Sequence, residues 1–169
     1  MKRKAIFAAT LLALPAAADN PRFMQAILDG YQEVPSVATR ATGIFTAKPN
    51  SERTEVEYTL SFSNMQSPVT QGHIHFAQIS VNGPIIIWLC GSATNPGPAD
   101  TPACPQGSGT VNGIFRAADV LASPTTQQLA AGQISAFIEA MRANSAYVNV
   151  HTVASPGGEI RGQVFGWAR

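Results

Sequence analysis

The sequence predicts a mainly β domain, an antiparallel Greek-key β-sandwich of about eight strands with one helical insertion near residues 126–143. Three observations carry this. Residues 54–62 alternate strictly, with Val56, Tyr58, Leu60 and Phe62 on one face and Glu55, Glu57, Thr59 and Ser61 on the other; this is the pattern of a half-buried antiparallel strand. Short apolar runs elsewhere are punctuated by turn-forming pieces at 48–51, 64–68, 82–84 and 155–158, the spacing of a sandwich or barrel. In one stretch alone the apolar residues change to helical spacing.

Taken in order, the strands are expected at 22–28, 41–48, 54–62, 69–78, 84–89, 109–116, 146–152 and 159–167. A short turn is expected at 117–121. Thr125 or Thr126 is placed to cap a helix that runs to about Ala143. Ile134, Phe137, Ile138 and Met141 recur at helical spacing and form its buried stripe. Gly132 weakens the front half, so the firm part of the helix is 133–142. No internal repeat, low-complexity tract or long linker interrupts the pattern.

The chain has 169 residues, and its first 18 have the layout of a signal peptide. Lys2, Arg3 and Lys4 precede a short apolar stretch at 5–14, and Ala16-Ala17-Ala18 satisfies the small-x-small rule for cleavage. That stretch is shorter than the roughly 20 residues needed to span a bilayer. Residues 19–169 are then one domain, exported to the periplasm or the extracellular space. Without the leader, eight Lys+Arg face ten Asp+Glu, a formal charge of −2. No basic patch of the kind that binds nucleic acid is evident, and a polybasic membrane anchor is absent as well. The two cysteines, Cys90 and Cys104, flank a segment rich in Gly, Pro, Ser and Asp. An even count in an exported chain favours a disulfide, with a cysteine metal site as the alternative.

Three histidines remain, all in strand-like motifs: Gly72-His73-Ile74-His75-Phe76 and Tyr147-Val148-Asn149-Val150-His151-Thr152. Residues two apart in a strand share a face. His73 and His75 therefore point one way and Ile74 and Phe76 the other. In the second motif Val148 and Val150 face inward, while Tyr147, Asn149 and His151 share the opposite face. Two imidazoles on one strand and a third on another make a candidate site for a single metal ion, copper or zinc. The alternative is a polar strand surface. A turn at 155–158 returns the chain as Glu159-Ile160-Arg161-Gly162-Gln163. Glu159 and Asn149 are candidates to orient an imidazole from behind, and Arg161 to guide an anion. For Glu159 and Arg161 the alternative is an exposed cross-strand ion pair. Gly72 marks a bulge or a close approach.

Tyr31-Gln32-Glu33-Val34-Pro35, Gly72-His73-Ile74-His75, Asn82-Gly83-Pro84, Tyr147-Val148-Asn149-Val150-His151-Thr152 and Pro156-Gly157-Gly158-Glu159-Ile160-Arg161-Gly162-Gln163 together resemble the CHRD domain. This module is named from chordin and widespread as stand-alone secreted bacterial proteins. The resemblance spans about residues 22–165, and the cysteine pair around a Gly-Pro loop also resembles the bacterial members. A second, weaker resemblance is to the Cu/Zn superoxide dismutases, where a His-x-His strand, a later His and an Arg occur in the order of His73, His75, His151 and Arg161. The departures are a missing fourth copper-binding His, no bridging His and no acidic zinc cluster. That resemblance therefore implies one metal ion at most.

Two functions follow. The first is a metal-binding domain for metal handling or, with Arg161 drawing in the anion, a copper-dependent oxidoreductase of superoxide dismutase type. The second is a non-catalytic extracellular module that binds a protein or matrix partner, in line with the role of chordin. A serine hydrolase is disfavoured, because Ser108 in Gly107-Ser108-Gly109 lacks the Gly-x-Ser-x-Gly elbow.

Overall fold

The computed structural model describes residues 23–167; the expected signal peptide lies outside them. Among the described residues there are nine antiparallel strands: β1 (Phe23–Asp29), β2 (Thr42–Pro49), β3 (Glu55–Ser63), β4 (Val69–Phe76), β5 (Ile85–Cys90), β6 (Gly109–Arg116), β7 (Ala146–Thr152), β8 (Ile160–Gln163) and β9 (Phe165–Trp167). They follow the path β5-β4-β7-β8-β1-β2-β3-β6, with β9 also pairing β1. The antiparallel, mainly β fold is the expected one. Its two layers, however, are the two sides of a single sheet that curls until β5 and β6 approach each other, a nearly closed barrel. The expected last strand at 159–167 is two strands, because the chain leaves the β7 edge after Gln163 and takes up β1 instead.

The alternation in β3 does what its pattern requires. Val56, Tyr58, Leu60 and Phe62 are buried among Met24, Leu28, Phe45, Ile74, Leu89, Val148 and Ile160, the core inside the curl. Three contacts tie β5 and its end to β3 and to the loop that leads into β6. Tyr58 Oη donates to the Leu89 carbonyl at 2.9 Å, Gly91 bridges Ala103, and Cys90 and Cys104 form a disulfide. A cleft of about 500 Å³ runs beside the seam of β5 and β6, lined by Trp88, Asp100, Asn112, Arg116 and Asp119 among others.

The helical insertion is shorter than expected at its front. Residues 125–127 form a single 3-10 turn, and α1 (Ile134–Arg142) begins only after Gly132, which has φ +82°. The helix that Thr125 or Thr126 was expected to cap already stops at Gln128, which is left-handed at φ 58°, and the left-handed Gly132 delays its restart to Ile134. Ile134, Phe137, Ile138 and Met141 are buried as the stripe requires. A 3-10 turn also occupies Ala117–Asp119. Among the described residues no helix is long and apolar enough to cross a membrane.

Candidate metal centre

The centre is built on the outer side of β4, β7 and β8. In the β4–β7 ladder His73 is opposite Asn149, His75 opposite Tyr147 and Gln71 opposite His151. In the β7–β8 ladder Asn149 is opposite Arg161 and Tyr147 opposite Gln163. Strand alternation therefore gathers His73, His75, Tyr147, Asn149, His151, Arg161 and Gln163 on one face. Ile74, Val148, Val150 and Ile160 lie on the other face, wholly buried in the core. Gly72 sits at a bulge against β5, where a Cβ would press on Cys90 Sγ at 3.3 Å.

This polar face is not a surface. His73 is 0 % exposed, His75 6 % and His151 7 %. All seven residues of β7 are buried, which alternation in that strand does not reveal. The cover comes from segments 30–35, 77–84 and 153–158. Asn82 Nδ2 donates to the Val34 carbonyl at 3.1 Å, tying two of them together.

The three imidazoles meet. One ring nitrogen from each lies within 4.8 Å of the others, and this is the group of potential ligands that the described residues bring together. Two nitrogens bound to one tetrahedral ion at about 2.1 Å sit about 3.4 Å apart, so closure onto an ion brings the most separated pair together by up to about 1.4 Å. Proton placement fixes what each ring offers. His75 Nδ1–H donates to the Gly83 carbonyl at 2.9 Å, and His151 Nδ1–H donates to the Pro156 carbonyl at 3.0 Å. A carbonyl only accepts, so both Nε2 atoms carry lone pairs. Both are 3.0 Å from Asn149 Oδ1, and His151 Nε2 is 3.2 Å from His73 Nδ1. His73 Nε2 is buried without a hydrogen-bond partner.

The electrostatics keep these rings neutral. Burial, followed by repulsion from His151 and His75, pushes the His73 pKa down to about 2. Burial pushes His75 down to about 4, against the hydrogen bond to Gly83 that favours its charged form. Burial also lowers His151, opposed by Pro156. Neutral imidazoles with one ring N–H held by a carbonyl and the other nitrogen bare are prepared as metal ligands. Asn149 lies beside two of the rings, its Oδ1 3.0 Å from the Nε2 atoms of His75 and His151.

Glu159 and Arg161 are buried on separate tasks. Glu159 Oε1 accepts from Thr39 Oγ1 at 2.7 Å and from Gln66 N at 3.0 Å, and its Oε2 accepts from Thr152 Oγ1 at 2.8 Å. None of these partners is an imidazole, and neither residue is on the surface where an ion pair was the alternative. Arg161 is 2 % exposed. Its guanidinium lies 3.4 Å from the Tyr147 ring centroid, donates to Asn82 Oδ1 at 3.0 Å and donates to the Val81 carbonyl at 2.8 Å. Tyr147 stacks in parallel on His75 at 4.6 Å. The result is a His75–Tyr147–Arg161 pile that clamps the 77–84 segment over the rings.

Three residues of this centre were not singled out from sequence. Trp88 packs edge-to-face on His73 at 4.3 Å. Tyr147 is the middle of the pile. Glu33 is buried beside Asn149, and its carboxyl is raised to about 7 by burial, against the lowering influence of Val34, Arg161 and Asn149. The quoted motifs contain Glu33 and Tyr147, but their chemistry emerges only when the covering segments fold over.

The model of one protein family, described as CHRD domain, matches residues 24–164. No curated protein and no solved structure gives a match.

Proposed function

The chain belongs to the CHRD domain family, and from that premise we propose that it is an exported domain that holds one copper or zinc ion through His73, His75 and His151. The observation that carries this is the pair of bare Nε2 atoms on His75 and His151, each fixed by an Nδ1–H to a backbone carbonyl. They converge beside His73 in a buried site. Imidazole donors suit both metals. The ion would supply Lewis acidity or, as copper, electron transfer; the chain supplies a rigid three-point mount. Export to the periplasm or beyond is supported by the leader-like residues 1–18 and by the disulfide, which suits an oxidising compartment.

Within this reading, holding the ion is favoured over superoxide-type turnover. Arg161 was expected as the anion guide, but its guanidinium is engaged by Asn82, Val81 and Tyr147, so in this reading it acts as a clamp. In a purely protein- or matrix-binding module the rings would serve packing alone, His75 through its stack on Tyr147 and its hydrogen bond to Gly83 and His151 through Pro156.

The test is metal analysis of the purified chain lacking residues 1–18. About one copper or zinc per chain is expected, and His75→Ala is expected to lose it while keeping its far-UV circular dichroism. Stoichiometric metal in His75→Ala would sink the site.

A further inference from the structure

A buried metal site needs a way in. The three rings are buried, so an ion reaches them only when part of the cover opens. The three covering segments are held in different ways. Segment 30–35 is folded onto the end of β1: Glu33 N–H and Val37 N–H donate to the Gly30 carbonyl, and the Asp29 carboxylate accepts from Tyr31 N–H and Gln32 N–H. Segment 153–158 is a turn with main-chain bonds at both ends. Val153 N–H donates to the Pro68 carbonyl at 3.0 Å, and Glu159 N–H donates to the Val150 carbonyl at 2.8 Å.

Segment 77–84, the connection between β4 and β5, is held otherwise. Phe76 N–H donates to the Pro84 carbonyl at 3.1 Å and closes its base, and Val81 N–H donates to the Gln78 carbonyl within its tip. Among the described residues no main-chain bond joins 78–82 to the rest of the chain. Residues 78–82 are all exposed, so lifting the tip takes little apolar surface out of the core. Side chains hold it down. Arg161 donates to Asn82 Oδ1 and to the Val81 carbonyl, Asn82 Nδ2 donates to the Val34 carbonyl, and Gly83 N–H donates to Tyr147 Oη at 3.2 Å. The Gly83 carbonyl is also the partner of His75 Nδ1. Lifting the segment therefore uncovers the rings and frees one of them from its support. A segment with few main-chain bonds and little burial opens before the rest of the fold.

We infer that segment 77–84 is the gate through which the ion enters and leaves, and that Arg161 is its latch. This rests on the three-histidine reading above. Arg161 is then a positioning residue that sets how fast the metal exchanges. Entry and release both pass through the open state, so a weaker latch speeds both and largely preserves their ratio, which is the affinity.

The experiment uses the chain lacking residues 1–18 and follows two rates by stopped flow: Zn(II) release to excess chromogenic chelator, and Zn(II) uptake by the metal-free chain. Arg161→Met removes two hydrogen bonds from a charged donor and is expected to speed both release and uptake by at least about tenfold. Arg161→Lys keeps a charged donor and is expected to recover part of the difference. Asn82→Ala, a change at an exposed residue, is expected to speed both by about three- to tenfold. Phe137→Ala weakens the core at α1 and is expected to leave both rates unchanged, which separates a latch from a general loss of stability. In the metal-free chain, hydrogen exchange of the Val81 and Gly83 amides is expected to quicken in Arg161→Met and Asn82→Ala, with the Val153 and Glu159 amides unchanged. Wild-type release and uptake in both variants would overturn the inference. Faster release with unchanged uptake would overturn it too, because Arg161 would then support the bound ion and not a gate. If Arg161→Met does not fold, Asn82→Ala decides alone. A wild type that binds neither zinc nor copper defeats the three-histidine reading itself, and the gate falls with it.

Discussion

An imidazole buried without an acid beside it stays neutral, because desolvating its charge costs more than any nearby hydrogen bond returns. His73 and His75 are in that state in the metal-free chain. The sign of the consequence follows from linkage. An unfolded imidazole titrates near 6.5, while His75 in the fold titrates near 4. As pH falls from 6.5 to 4, the unfolded chain takes up a proton that the folded chain refuses, and stability drops. For His75 alone the full window is worth about 3 kcal/mol, and His73, at about 2, acts in the same direction. Glu33 acts oppositely. Its carboxyl is raised from 4.5 to about 7, so it favours the folded state at low pH and loses that contribution as pH rises from 4.5 to 7. Arg161 is the charged neighbour that both feel, and Tyr147 and Asn149 are uncharged there at these pH values. Two histidines outweigh one carboxyl, so the metal-free protein is expected to have a lower urea midpoint at pH 5 than at pH 7. The acid loss is expected to shrink in His75→Gln. A wild-type midpoint that does not fall between those pH values would contradict the neutral, buried state of the rings.

The strands and the helix divide the work between packing and chemistry. α1 is legible from its sequence because its stripe of Ile134, Phe137, Ile138 and Met141 packs by area alone. Phe137→Ala is expected to cost about 3–5 kcal/mol, read from the urea midpoint, with the metal content of the folded fraction unchanged. β7 was legible in type and bounds, yet burial of both its faces was not, since Tyr147, Asn149 and His151 look like the solvent side of a half-buried strand. What buries them is the turn after β7 and two segments distant in sequence. Gly158 is the position in that turn where the backbone matters most. Alanine there must adopt φ +126° and meet the Glu33 carboxylate, so Gly158→Ala is expected to cost more than about 1 kcal/mol and to weaken metal binding as well. Unchanged metal affinity in that variant would separate the turn from the centre.

The curl of the sheet sets β5 against β6, and neither strand continues the ladder past the other. The Cys90–Cys104 link and the Gly91–Ala103 bridge tie the end of β5 to the loop that leads into β6, and the Tyr58 hydrogen bond to Leu89 ties β5 to β3 across the curl. Replacing both cysteines by serine is expected to lower stability by about 3 kcal/mol in the loop-entropy account. Amide exchange is expected to quicken in β5 and β6 before it does in β2 and β3, which lie inside the sheet. Uniform acceleration across all strands would mean that the link stabilises the unfolded ensemble's constraint alone and not the seam.

Period-two alternation, turn residues and one helical stripe were enough to place seven of the nine strands within two residues at each end, together with the helix that follows Gly132. Each of those signals is local: a side chain reports its face through its immediate neighbours in the chain. The pairing of Cys90 with Cys104 was legible too, from the even count and the expected export. The centre was legible only as a list of histidines on outward faces. Whether those faces were wet could not be read from any one strand. It depends on segments 30–35, 77–84 and 153–158 closing over β4, β7 and β8, and on which carbonyl each Nδ1–H finds there. Glu33 is the clearest instance. Nothing around it in sequence marks a buried carboxyl, and its position beside Asn149 exists only once residues more than a hundred positions apart are packed together. Local pattern chose the strands and presented the imidazoles; long-range packing buried them, gave Nδ1 of His75 and of His151 a carbonyl partner, and brought the three rings together.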